Sequence, residues 1–260
     1  MTASALTLPS RGHYRFRHVA KMEWIKLRSL RSTWWTLALS AVSAIAISIA
    51  VGINTTKSSE DLTNNALAGV SAGLLLIGVL GVLTTTSEYT SGMIRATLSA
   101  APRRPLVLAA KAAVFGAVAL ALGEGTSFIS FFAGTATLRH GIAAPTLGQP
   151  GVLRAVALSG ASFGLIGLIG MGLGAIIRHT AAGVAVMVGG VYVLAQFIAA
   201  IAHPLFAYIP ISIVANSLGT TKAVGHGVHM LPPWAGFGML CLYAAVALIA
   251  GGLLLARRDA

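Results

Sequence analysis

Acidic side chains are scarce in this sequence. The 260 residues include six Asp and Glu against eighteen Lys and Arg, and only 9% are charged. A water-soluble domain carries about a quarter charged residues, so a soluble globular fold is excluded. Cysteine occurs once, as Cys241 inside an apolar run, which rules out an intrachain disulfide. No G-x-x-x-x-G-K-[ST] phosphate loop and no H-E-x-x-H pair occurs. The chain is therefore expected neither to hydrolyse ATP by itself nor to hold that type of zinc centre.

Apolar residues dominate instead. They make up 56% of the chain, and the mean hydropathy is +0.84. A helix needs roughly 20 apolar residues to cross the hydrocarbon core. Six runs qualify, at about 33–53, 66–86, 112–135, 153–177, 181–202 and 234–256. Lipid offers the backbone no hydrogen-bond partner, so each is expected to be helical. The expectation is an all-α integral membrane protein with six transmembrane helices in one transmembrane domain over 1–260. The first run begins near Thr33, after seven Lys and Arg, and is too long for a signal-peptide core. It is expected to stay as an anchor.

The basic residues fall unevenly. Seven precede the first run, and Arg95, Arg103, Arg104 and Lys111 lie between the second and third. Arg178, Arg257 and Arg258 bring that side to fourteen, while Lys57, Arg139, Arg154 and Lys222 make four on the other. The positive-inside rule puts the fourteen, with both termini, in the cytoplasm. The net charge of +12 is then mostly topology, and no nucleic-acid partner is expected. Trp34, Trp35 and Trp234 sit at run starts, where indoles favour the headgroup zone. Segment 11–32 mixes basic residues with Val19, Met22, Ile25, Leu27 and Leu30. It reads as a basic interfacial helix on anionic lipid, or else as a partly ordered basic tail.

Within the fourth run, Gly160, Gly164, Gly167 and Gly174 share a helical face, with Gly170 at its margin. Such a stripe lets another helix approach closely; Gly69 and Gly73 repeat the theme in the second run. Glu124 is the one acid deep in a run, between Gly123 and Gly125. Intramembrane carboxylates are costly and often functional. Glu124 is either a polar point on a substrate path or a protonated group bonded to a neighbouring helix, and Gln196 is a candidate partner. In the connection 203–233, Ile211, Val214, Ala215 and Leu218 follow helical spacing and predict a short amphipathic helix at the outer surface or dipping into the bundle. His226 and His229 stand three apart without an evident third ligand, and so read as loop histidines. Ser162 and His203 make too weak a constellation for a hydrolase.

One polar stretch interrupts the apolar runs. "TTSE" from Thr85 fits a capping box, with Thr85 as N-cap and Glu88 three residues in. A short helix to about Ala100 is expected, with Met93, Ile94, Thr97 and Leu98 on one face and Glu88, Tyr89 and Arg95 nearby. Pro102 ends it, and Pro105 can open the next helix.

"MEWIKLRSLRSTWW", "SEYTSGMIRATLSAAPRRPLVLAAK", "GLGAIIRHTAAG" and "LPPWAGFGMLCLYAAVALIAGGLLLARRD" resemble a type-2 ABC exporter permease of the actinobacterial kind, over nearly the whole chain. The resemblance implies six helices with an N-terminal interfacial helix. It also implies that 87–105 is a cytoplasmic coupling connection, with 88–98 docking a separate ABC ATPase subunit through Glu88, Tyr89, Met93, Ile94, Arg95, Thr97 and Leu98. It implies two permease chains, identical or related, with two ATPase chains that carry ATP and Mg, in a bacterial cell membrane. The cargo class is a hydrophobic or amphipathic drug, peptide or lipid leaving the cytoplasm. The alternative is a non-transporting anchor, sensor or immunity protein that docks a cytoplasmic partner.

Overall fold

A computed structural model of the chain describes residues 15–56, 61–94, 97, 104–139, 141–194, 197, 201, 203–220 and 230–257. Among the described residues all regular structure is helical: α1 Phe16–Ser29, α2 Arg31–Asn54, α3 Leu62–Ala66, α4 Val70–Thr90, α5 Arg104–Ala136 and α6 Val152–Ile177. There follow α7 Thr180–Ala185, a π-helical stretch Val186–Leu194, a 3₁₀ turn His203–Tyr208, α8 Pro210–Leu218 and α9 Pro233–Arg257. Five of these, α2, α4, α5, α6 and α9, are long and apolar enough to cross a membrane.

Helix α6 is the axis of the bundle. It packs on α4, α5 and α9, and glycines on several of its faces make this possible. Gly167 and Gly170 meet the α4 backbone at Gly81 and Gly78, Gly160 meets α5 at Gly123 and Glu124, and Gly172 meets Ala247 of α9. Where lipid removes the hydrophobic drive between helices, such close backbone approach supplies the van der Waals contact that holds them. The core fills around these crossings with Phe115, Phe131, Phe163, Ile77, Leu74 and Met171, all fully buried.

The stretch 181–202 differs from the single apolar α-helix expected. Its described part up to Leu194 forms the short α7 and then π-helical turns. Gly183, Gly189 and Gly190 with four β-branched valines between 186 and 193 weaken the α form, because glycine loses most backbone entropy and valine loses χ1 freedom. Gly183 lies against Val82 and Met187 against Gly78 and Ile166, so this stretch runs alongside α4.

Two ends of the bundle differ in chemistry. At one, the basic end, Arg178 Nη2 donates to Leu254 O at 3.0 Å and Arg104 Nη1 to Leu255 O at 3.2 Å. These guanidiniums satisfy carbonyls that the last turn of α9 leaves unpaired. At the opposite end, Asp61 caps α3 and accepts from Thr220 N at 2.6 Å, while Arg154 Nη2 donates to Gly219 O at 2.8 Å.

Helix α8 takes the position expected for the 211–218 segment, opened by Pro210 in its first turn. Its buried residues are Ile211, Ser212, Ile213, Val214, Ser217 and Leu218, with Ala215 exposed. It packs against α6 and α9 within the bundle.

Candidate functional site: a buried ion cluster beneath an amphipathic cavity

Segment 16–29 folds as α1, and Val19, Glu23 and Leu27 form its buried row at i, i+4, i+8. Val19 packs on Val107 and Ala110 of α5. A carboxylate in that row requires an opposite charge, and Lys111 of α5 supplies it: its Nζ donates to Glu23 Oε2 at 2.6 Å and to Glu88 Oε1 at 2.9 Å. Lys26, three residues past Glu23, donates to Glu23 Oε1, Glu88 Oε1 and Thr97 Oγ1, each at 2.9 Å. Glu23 is 3% exposed and Glu88 6%. Two acids and two lysines thus tie α1, α4, α5 and the start of the polar connection together. Burial opposes the charge on Lys26, but its contacts with Glu88 and Glu23 outweigh that and hold its pKa above the usual 10.5.

This overturns two readings of the polar stretch. Thr85 does not cap a new helix; α4 runs straight through it to Thr90, and Thr85 Oγ1 donates to Met171 O of α6 at 3.3 Å. The second apolar segment accordingly reaches four residues past its expected end at 86. The real break is Gly92, whose φ of +70° suits glycine at a helix C-terminus. Ser91-Gly92 was the available signal, and the T-x-x-E match obscured it. Glu88 is consequently a buried member of the cluster and not an exposed docking group. Tyr89 lies with the Arg178 guanidinium 5.2 Å from its ring centroid, a cation–π distance.

Met93, Ile94 and Thr97 are helical. Met93 is 46% exposed, whereas Ile94 and Thr97 are buried, so the three do not share one open face. Arg95, Leu98 and Ala100 lie outside the described residues, as do Gln196, His226 and His229. Glu124 is half-buried on α5, and the Gly160 surface of α6 makes room for it: a Cβ there would meet Glu124 Cα and Oε2 at 2.7 Å. Gly164 faces Leu120 of α5, Gly167 touches Phe115 and Ile77, and Gly174 faces Val82 and Thr85 of α4. The stripe therefore serves two neighbours. Ser162 Oγ donates to Leu158 O in its own helix. Among the described residues, no three His, Cys, Asp or Glu side chains come together as a metal site requires.

Above the cluster, between α1, α2, α4 and α5, lies a cavity of about 410 Å³. Its walls are Leu27, Leu30, Leu80, Leu83, Val114 and Phe115, and its floor is Glu23, Lys26, Glu88 and Lys111. It falls in the roughly 300–1,000 Å³ range of small-molecule sites, which are mostly apolar with a few placed polar groups. Glu23, Lys26 and Lys111 escaped the sequence reading as a site. The legible signal was Glu23 within the Val19/Leu27 row, three residues before Lys26.

Five apolar helices packed round a glycine-lined axis make the chain a multi-pass α-helical membrane protein. No protein-family model matches it, and no curated protein matches it.

Proposed function

We propose that the chain is the membrane-spanning subunit of an ATP-driven exporter for hydrophobic or amphipathic compounds, working with a separate ATPase. The observation that carries this is the ion cluster. The polar connection leaves α4 beside Glu88 and returns as α5 seven residues before Lys111, and both side chains bind α1. A force applied to that connection by a soluble motor reaches three helices through buried charges. The sequence resemblance gives the motor its class. Helix α5, at 33 residues about 50 Å long, exceeds the roughly 30 Å hydrocarbon core, which leaves its first turns free to stand in the cytoplasm. There the basic end faces the motor and carries both termini.

A sixth crossing fits this reading. The chain stands at the basic end at Arg178 and at the opposite end at Gly219. The α7 and π-helical stretch leaves the basic end and runs antiparallel to α4 as far as Leu194.

The test is co-expression of the tagged chain with the ATPase encoded beside it, measuring co-purification and ATP hydrolysis in lipid. Met93→Asp puts a charge on the exposed part of the connection, on the lining of the cavity that the cluster floors. Loss of co-purification or stimulation supports the exporter subunit. An unchanged complex, or no complex with the native chain, removes the motor from the reading; a complex without ATP-dependent movement of cargo leaves a docked anchor.

A further inference from the structure

The cavity above the ion cluster has an uneven inventory of hydrogen-bonding groups. All three Lys26 protons are spent, on Glu23, Glu88 and Thr97. Lys111 has two committed, on Glu23 and Glu88. Four of the seven hydroxyls on the wall are committed as donors too, while those of Ser32, Thr33 and Ser87 donate to no described residue. Ser29 donates to Lys26 O, Thr36 to Ser32 O, Thr84 to Gly81 O and Ser91 to Ser87 O, at 2.7–2.9 Å. Each keeps lone pairs to offer, because a hydroxyl accepts as well as donates. Glu88 takes both ammonium groups on Oε1, and among the described residues Oε2 accepts from neither. The cavity thus presents one carboxylate oxygen and a ring of seven hydroxyl acceptors, against one remaining lysine N–H and the three hydroxyl protons of Ser32, Thr33 and Ser87. Above them stand Leu27, Leu80, Leu83, Val114 and Phe115.

We propose that this cavity binds a cationic amphiphile: an apolar or aromatic body between α2, α4 and α5, with a protonated primary or secondary amine on Glu88 Oε2 and the flanking hydroxyls. A phosphate or carboxylate head would meet more acceptors than donors. A quaternary ammonium would bring charge without N–H groups to match them. The site rests on this donor and acceptor arrangement and does not require the exporter reading.

The experiment uses the full chain in nanodiscs of zwitterionic lipid, with dansylcadaverine as the primary-amine probe and its N-acetyl derivative as the neutral counterpart. The expected result is saturable fluorescence with the native protein and roughly tenfold weaker binding of the acetylated probe, the scale of one lost charge-assisted hydrogen bond. Leu83→Trp, which fills the cavity, abolishes saturable binding, and Glu88→Gln weakens the amine but not the acetylated probe. Equal binding of both probes, unchanged binding to Leu83→Trp, or no saturable binding to the native protein overturns the proposal. If Glu88→Gln does not elute as a folded species on size exclusion, Leu83→Trp and the probe pair decide.

Discussion

At the scale of the residue, the ion cluster sets the sharpest expectations. Glu88, Lys111, Glu23 and Lys26 are compensated only as a set. Removing one leaves the buried set with one charge in excess, a loss of up to about 3–5 kcal/mol. Glu88→Gln and Lys111→Met should each lower the melting temperature in detergent strongly. The double variant, which leaves Glu23 and Lys26 paired, should lose distinctly less than the two singles summed. Additive losses would show that the two side chains do not act together. Lys26 adds a pH signature. Its pKa is raised in the fold, so its stabilisation is fully present below the ordinary 10.5 and disappears as pH climbs through the raised value. The melting advantage of the native protein over Lys26→Met should be flat from neutral pH to about 10 and shrink above it. A decline already at pH 8 would contradict the assignment.

At the scale of the element, the glycines divide into those that admit a neighbour and those that merely sit in a helix. Gly81 of α4 lies against the Gly167 carbonyl of α6, whereas Gly125 of α5 has open space where a Cβ would stand. Gly81→Val should therefore disrupt the α4–α6 crossing and cut the yield of folded protein. Gly125→Ala should be neutral or slightly stabilising, since glycine costs about 1 kcal/mol against alanine inside a helix. Size-exclusion profiles and melting curves of the two variants separate them. The stripe on α6 was legible because spacing alone places 160, 164, 167 and 174 together. Its division between α4 and α5 was not, because partner identity depends on how helices cross. The long apolar runs were legible for the same reason of composition, with α2, α6 and α9 ending within a few residues of their expected bounds. Thr85 misled because a T-x-x-E pattern inside an apolar helix looks like one at its start. The cluster was hidden because its members lie up to 88 residues apart, and nothing local marks two distant charges as a pair.

At the scale of the whole molecule, the helix directions predict a labelling pattern. Arg257 is at the basic end of α9, and Gly148 lies in the loop that leads into α6 at the opposite end. With the exposed Cys241 replaced by serine, Arg257→Cys and Gly148→Cys should react with an impermeant maleimide from opposite sides of the membrane. Reaction of both from one side would refute the arrangement. The cluster also bears on how the chain is made. Glu23 leaves the ribosome long before Lys111, and α1 connects to α2 through one non-helical residue, Leu30. Helix α1 therefore stays without its seat until α5 has been synthesised. A nascent chain that ends before Lys111 holds the two acids of the cluster, Glu23 and Glu88, with only Lys26 of the cluster to compensate them, so the basic end is completed only when α5 emerges.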